Sequence, residues 1–517
     1  MPRVLDRRQL LRGATLAGGG LALSSYMPAW AQTTSGGIVK PMPTVSGDDI
    51  SLRVAHQMMM IDGRASHAIG INGTAPAPLI RLREGQNARL TLTNGLQDEQ
   101  TSIHWHGLIL PFQMDGVPGI SFPGVDPGKS FTYEFPVKQS GTYWYHSHSG
   151  LQEQMGHYGP LVIDPAGADP IVSDREHVIM LSDHSPLHPH AIFRKLKLQG
   201  GYFNYQKQTL GGLLRGDGQS AAERREWGKM RMDPTDVADV TASTYTYLVN
   251  GHGPGDNWTG LFRPGERVRL RVINASAMTT FNVRIPGLKM TVVACDGLPV
   301  RPVTFDEFQI GVAETYDVIV TPTDDRAYTI VGESVDRSGM ARATLAPREG
   351  MAAAVPPLRK RPLASMKDMG MGGMDMNDGS MAGMNHGGGL RGGASMDHAA
   401  MGHAMPAAGA AAGGAPAAMA GMDHAAMGHA VPAEGAPMGP AAAMDHGAGG
   451  MNHSMRDFSN APGVKKTPAV QTISPMPVDR MGEPGQGLEN VGHKVLVYRD
   501  LMAVDRNPDV RAPDRAM

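Results

Sequence analysis

Cysteine is nearly missing: the 517 residues contain one, Cys295. A single thiol excludes an intrachain disulfide framework, so the folded parts must be held by hydrophobic cores or by bound metal. Aromatic residues are also scarce, at 5% of the chain, whereas Gly (66) and Met (36) are in large excess. A chain of this composition cannot pack a core along its whole length, and part of it must be low-complexity sequence. Charge of one sign does not dominate either. Lys and Arg total 47 against 49 Asp and Glu, a formal net charge of −2, which argues against a nucleic-acid or membrane-surface partner. Beyond the N-terminal region no apolar run is long enough to suggest a membrane span.

What is present begins with a targeting segment. Arg7 and Arg8, within Asp6 to Leu11, precede a weakly apolar Ala/Gly/Leu stretch that ends in Ala29, Trp30 and Ala31. Basic, apolar and small-residue regions in that order read as a twin-arginine signal peptide over residues 1–31. This implies export to the periplasm and removes those residues from the fold.

From about residue 45 the pattern is all-β, with alternating runs such as Ala88 to Thr93 and Ser130 to Phe135 between Gly, Pro and Asp turns. An internal repeat divides this part. Arg83, Glu84 and Gly85 through Leu90, Leu92 and Asn94 are echoed by Arg263, Pro264 and Gly265 through Leu270, Val272 and Asn274. Two related Greek-key β-sandwich domains are expected, over 45–166 and 170–346. Between Asp183 and Asp239 lie His184, His188 and His190. No alternating strand holds them in register, so the segment reads as a solvated loop or insertion. Residues 347–470 are rich in Ala, Gly, Met, His and Pro and are expected to be disordered without metal. From Gly487 to Leu501 the sequence reads as ordered again, with Val495, Val497 and Tyr498 on one strand.

The strongest chemical signal is a pair of His-X-His motifs, His104-Trp105-His106 and His146-Ser147-His148. Residues two apart on a strand share a face about 6–7 Å apart, so each motif presents two imidazoles together and two such strands converge four. Neutral imidazole suits copper, iron, nickel or zinc, and the histidine count alone does not choose among them.

The run His104 to Gly107, the Asp115-Gly116-Val117-Pro118 loop, the Pro127-Gly128 turn and the stretch Tyr143 to His148 closely resemble the first domain of multicopper oxidases. In particular they resemble the periplasmic copper-resistance oxidases of bacteria, a likeness that the twin-arginine leader and the Met-rich segment reinforce. The resemblance implies two cupredoxin-like domains. It also implies His104 as a ligand of a type 2 copper, and His106, His146 and His148 as ligands of a type 3 pair. Asp115 falls where the family keeps an acid near the oxygen-reducing cluster, which implies a proton-relay role; a plain turn residue explains it equally well. The family's third domain, with its His-Cys-His strand, has no counterpart in this sequence. Cys295 lacks flanking His and reads as a core thiol. The expectation is therefore a half-supplied cluster, with residues 471–517 as the lead-in to a missing third domain, and oxygen as a partner only if that domain is supplied.

Met and His recur within the low-complexity part. The nonamer from Met396 to Ala404 returns intact from Met422 to Ala430, and about half of the 36 Met lie between residues 366 and 455. Thioether sulfur suits Cu(I) and neighbouring imidazole can hold Cu(II). The candidate accessory copper ligands are Met369, Met371, Met374, Met376, Met396, His398, Met401, His403, Met422, His424, Met427 and His429. Two functions follow as expectations: oxidation of Cu(I) or phenol-type substrates coupled to oxygen reduction, with the chain inactive alone, or sequestration of copper ions without redox turnover.

Overall fold

The computed structural model describes residues 37–368 and 479–505. The signal segment and all twelve Met/His candidates from Met369 to His429 lie outside the described residues. Among the described residues no helix is long and apolar enough to cross a membrane.

Two β-sandwiches follow one another. In the first, one sheet has the order β1 (Thr44–Ser46), β4 (Leu79–Arg83), β9 (Tyr158–Asp164), β8 (Gly141–His146), β6 (His104–His106). The facing sheet has the order β3 (Arg64–Ile71), β2 (Asp49–Ile61), β5 (Asn87–Asn94), β7 (Ser130–Pro136). Period-2 alternation builds them: Ala88, Leu90 and Leu92 of β5 are fully buried beside Ile50, Leu52 and Val54 of β2, while Arg89 and Thr91 face outward. Trp105, Tyr133, Phe135 and Tyr145 complete this core.

In the second sandwich, the larger sheet has the order β11 (Thr246–Val249), β10 (Arg175–His184), β13 (Val268–Asn274), β18 (Thr315–Val320), β15 (Met290–Cys295), β16 (Leu298–Phe305). It packs over β12 (Trp258–Leu261), β20 (Met340–Ala346), β19 (Tyr328–Ser334), β14 (Phe281–Arg284) and β17 (Glu307–Ile310) around one continuous apolar core.

The internal repeat has a structural meaning. Gly85 and Gly265 both turn the chain at positive φ, 91° and 90°. The asparagine that ends each copy does the same work in both sandwiches. Fully buried Asn94 accepts from Leu96 N at 2.9 Å and donates to the carbonyls of Glu99 and Val125. Fully buried Asn274 accepts from Ser276 N at 3.1 Å and donates to the carbonyls of Thr279 and Ile310. Each side-chain amide satisfies the backbone where a central strand leaves its sheet.

The segment read as a solvated loop carries helices instead: α1 (Pro189–Leu198), α2 (Leu210–Leu214) and α3 (Ala221–Lys229). Ile192 of α1, with Phe203 and Val240 of the connections, joins the second core, and Trp227 of α3 is buried. A Ser220/Glu223 capping box starts α3. These helices are short; α1 and α3 each bury one large apolar side chain, Ile192 and Trp227, and α2 buries none, so the sequence offers no 3.6-residue period to read.

Residues 495–498 likewise do not form the expected strand. Val495 makes one bridge to Glu307, Leu496 N donates to the Glu307 carbonyl at 2.9 Å, and the chain turns at Tyr498–Asp500. Leu496 is buried in the second core, and charge anchors the chain around it. Glu307 and Glu333 are fully buried; Arg359 reaches both, at 2.9 Å and 2.6 Å, and His493 reaches Glu307 at 2.7 Å. Arg337 and Arg284 close on Glu333 at 2.8 and 3.0 Å. Burial alone would raise the Glu333 carboxyl, but Arg284, Arg337 and Arg359 outweigh it and hold its pKa below the ordinary glutamate value. A carboxyl depressed on folding adds stability above its unfolded pKa of about 4.3 and loses it as pH falls through the folded value. Glu333→Gln is therefore expected to cost about 3–5 kcal/mol in urea denaturation at pH 7, with the difference shrinking below about pH 4. A loss of equal size at every pH would contradict this account.

Candidate metal centre

Strands β6 and β8 pair antiparallel with His104 directly opposite His146, Trp105 opposite Tyr145 and His106 opposite Trp144. Trp105 points into the first core, 5.3 Å edge-on from Tyr133 and 5.8 Å from Tyr145. Alternation then obliges His104 and His106 to leave the opposite face. His148 lies beyond the end of β8, where its backbone N donates to Ser102 Oγ at 3.1 Å. All four predicted imidazoles meet. The His104 ring centroid lies 5.5, 5.4 and 5.2 Å from those of His106, His146 and His148, and His146 is 5.5 Å from both His106 and His148. Ligand atoms of His104, His106 and His146 all lie within 4.8 Å of one another, and His106 Nδ1 stands 3.3 Å from His146 Nε2.

Family models described as multicopper oxidase match residues 53–168 and 176–355. Copper resistance protein A of Escherichia coli is 46% identical over 531 residues, covering 99% of this chain and 80% of that protein. The protein of the same name from Pseudomonas syringae pv. tomato is 48% identical, covering 99% and 81%. The chain belongs to the multicopper oxidase family. A multicopper oxidase of Mycobacterium tuberculosis, MmcO, is 32% identical over 67% of each chain. Among solved structures, the laccase of Botrytis aclada matches with a TM-score of 0.48 and 26% identity, over 65% of this chain and 60% of that one.

In this multicopper oxidase burial favours the neutral form of His104, His106 and His148. Burial, followed by the neighbouring His146, His104 and His148, lowers the His106 pKa to about 4. Burial also lowers His104, against the opposing pull of the Asp115 carbonyl, and it lowers His148. Neutral imidazole is the ligand form, so these three rings suit copper without a proton to displace near neutral pH. His104 Nδ1 donates to the Asp115 carbonyl at 2.7 Å, and His146 Nδ1 to the Ser147 carbonyl at 3.0 Å. A carbonyl can only accept, so both rings keep their lone pair on Nε2, which in His146 faces His106 Nδ1.

Asp115 thus sits behind His104, its carboxylate 3.5 Å from Nδ1. Glu153, which sequence reasoning missed, holds the equivalent place behind His146 at 3.2 Å. Only its position seven residues after His146 could have hinted at this. Also missed was a buried polar lattice beneath the two motifs. Gln152 Oε1 accepts from Thr101 Oγ1 at 2.8 Å and Ser147 Oγ at 2.9 Å, and Ser102 Oγ meets Ser149 Oγ at 2.9 Å. His157 is fully buried beside it, and burial followed by His146 lowers its pKa to about 3. Cys295 stands apart on β15. Burial and then Asp296 push its thiol well up, so it is a protonated side chain rather than a thiolate.

The second sandwich braces the first at this point. Thr142 of β8 accepts from Arg271 at 2.8 Å, and its carbonyl accepts from Thr315 Oγ1 at 3.0 Å. Trp144 and Tyr158 pack with Met180, Ile273 and Ala275. The Trp144 ring stacks on His146 at 4.2 Å. In a 13C/15N imidazole NMR titration of the metal-free chain, His106 is expected to protonate with a midpoint near pH 4. A midpoint at the unperturbed value of about 6.5 would contradict its burial among imidazoles.

Proposed function

We propose that this chain is a periplasmic copper-resistance protein in which His104, His106, His146 and His148 supply half of the ligands of an oxygen-reducing copper cluster. The convergence of four imidazoles, from β6, β8 and the segment just after β8, carries this reading. The name of the Escherichia coli and Pseudomonas relatives supports the biological role. Cu(I) or a phenol-type compound is the proposed electron donor. Export through a twin-arginine signal over residues 1–31 completes the proposal.

Copper held by these imidazoles would supply one-electron chemistry toward dioxygen. The chain's own groups then have separable tasks. The Asp115 and Ser147 carbonyls fix the tautomers of His104 and His146, so that Nε2 faces the cluster. The Glu153 carboxylate steadies His146 from behind. The Asp115 carboxylate, within 3.5 Å of the His104 ring, is the proposed holder of a proton delivered to the cluster. The Gln152, Ser147 and Ser102 lattice keeps the loop that bears His148 from drifting. A blue type 1 centre needs a thiolate beside imidazoles, and among the described residues Cys295 joins no cluster of metal-ligating side chains.

The Met/His repeats favour a second reading, copper capture by soft thioether ligands without turnover. The two readings separate in one set of titrations against a competing chelator. His104→Ala/His146→Ala is expected to remove tight copper from the first sandwich. The Cu(I) that this variant retains should disappear on deletion of residues 366–455 if the repeats capture it. Copper loading of the unaltered chain in air is expected to give neither an intense blue thiolate band nor oxygen uptake with Cu(I). Unchanged copper content in the double variant would contradict the four-imidazole assignment, and a blue band would contradict the reading of Cys295.

A further inference from the structure

The β2–β3 hairpin carries chemistry that the four-imidazole centre does not use. Its two faces have different fates. On one, Met59, Ile61 and Ala68 are buried against Leu248 of β11. On the other, His56, Met58, Met60 and His67 are all exposed, the two thioethers at 62% and 57%. Register makes this grouping inevitable, since Met58 pairs with His67 while His56 and Met60 flank Met58 on the same side of β2. The rings of His56 and His67 stack with centroids 4.9 Å apart. Asp98 and Glu99, from the turn that follows β5, bring carboxylate oxygens to the same place. One donor atom from each of His56, Asp98 and Glu99 lies within 4.8 Å of the others. The fully buried Asn94 fixes that turn by donating to the Glu99 carbonyl at 2.9 Å.

On a rigid strand pair and a pinned turn, His56 meets two carboxylates and stacks on a second imidazole, His67, which makes a nitrogen–oxygen donor set. Such a set favours divalent first-row ions and, among them, Cu(II) most strongly. A solvated face would explain any one of these side chains. It does not explain why His56, stacked on His67, lies among two converging carboxylates, with exposed thioethers in place of the polar residues expected on the water side of a hairpin. We infer that His56, His67, Asp98 and Glu99 form a second, surface-exposed site for a divalent copper-class ion, separate from the four-imidazole centre. Met58, the cross-strand partner of His67, places a thioether beside this site. His188 also approaches it: after partial burial, His56 and His188 are what hold the His67 pKa below its usual value. The site stands on its own ligands and does not depend on the oxidase reading.

The test is equilibrium dialysis of the metal-free full chain against Cu(II) buffered by glycine, with electron paramagnetic resonance of the bound ion. His56→Ala/His67→Ala is expected to lose one Cu(II) per chain, together with one nitrogen-coupled signal. Asp98→Asn/Glu99→Gln, which keeps the shape of the turn, should weaken the same ion by roughly 10-fold or more. His104→Ala/His146→Ala should retain it. Far-ultraviolet circular dichroism confirms that each variant is folded. If both surface variants bind as many Cu(II) ions as the unaltered chain, with the same spectrum and affinity, the inference is overturned whatever the His104/His146 variant does. Loss in the His104/His146 variant alone would overturn the surface site and leave the central one standing.

Discussion

Everything at the metal centre depends on which way Trp105 points. It is 1% exposed, wedged among Tyr133, Phe135 and Tyr145, and lies between two histidines on a strand of three residues. Withdrawing a side chain of that size from a core costs about 3–5 kcal/mol. The strand therefore cannot rotate, and both flanking imidazoles are committed to the other face. Tyr145 makes the same commitment for β8, its hydroxyl donating to the Pro78 carbonyl at 2.6 Å. Packing energy in the first sandwich thus becomes positional accuracy at the cluster.

The second sandwich contributes bracing rather than ligands. Arg271 and Thr315 grip Thr142 at one end of β8, and the Trp144 and Tyr158 cluster packs against Met180 and Ile273 at the other. The duplicated Asn94 and Asn274 show how one local solution, a buried amide that satisfies the backbone where a strand departs, was used in both halves.

The strands, the repeat and the four histidines were legible in sequence because each rests on a short period. Ala88, Leu90 and Leu92 alternate, and so do His104, Trp105 and His106. The carboxylate behind His146 was not legible, since nothing in a lone Glu153 says that a 3-10 turn will carry it back to a ring seven residues earlier. The helices of residues 189–229 escaped because Ile192 and Trp227 are solitary anchors. His56 escaped for a third reason. Its partners His67, Asp98 and Glu99 are 11 to 43 residues away, and only the hairpin register and the Asn94 turn assemble them. Within the ordered stretch from Gly487 to Leu501, the expected strand at Val495, Val497 and Tyr498 does not form, because the chain there is held by one bridge to Glu307, by buried Leu496 and by the His493–Glu307 pair, which leave no ladder of alternating partners.

The central claim, that two paired strands focus four imidazoles on copper, is most directly tested by diffraction at the copper absorption edge from copper-soaked crystals of the full chain. The account requires anomalous density between the side chains of His104, His106, His146 and His148, with copper about 2.0 Å from their ring nitrogens. Copper found elsewhere in the first sandwich, with those four rings turned away from one another, would contradict it.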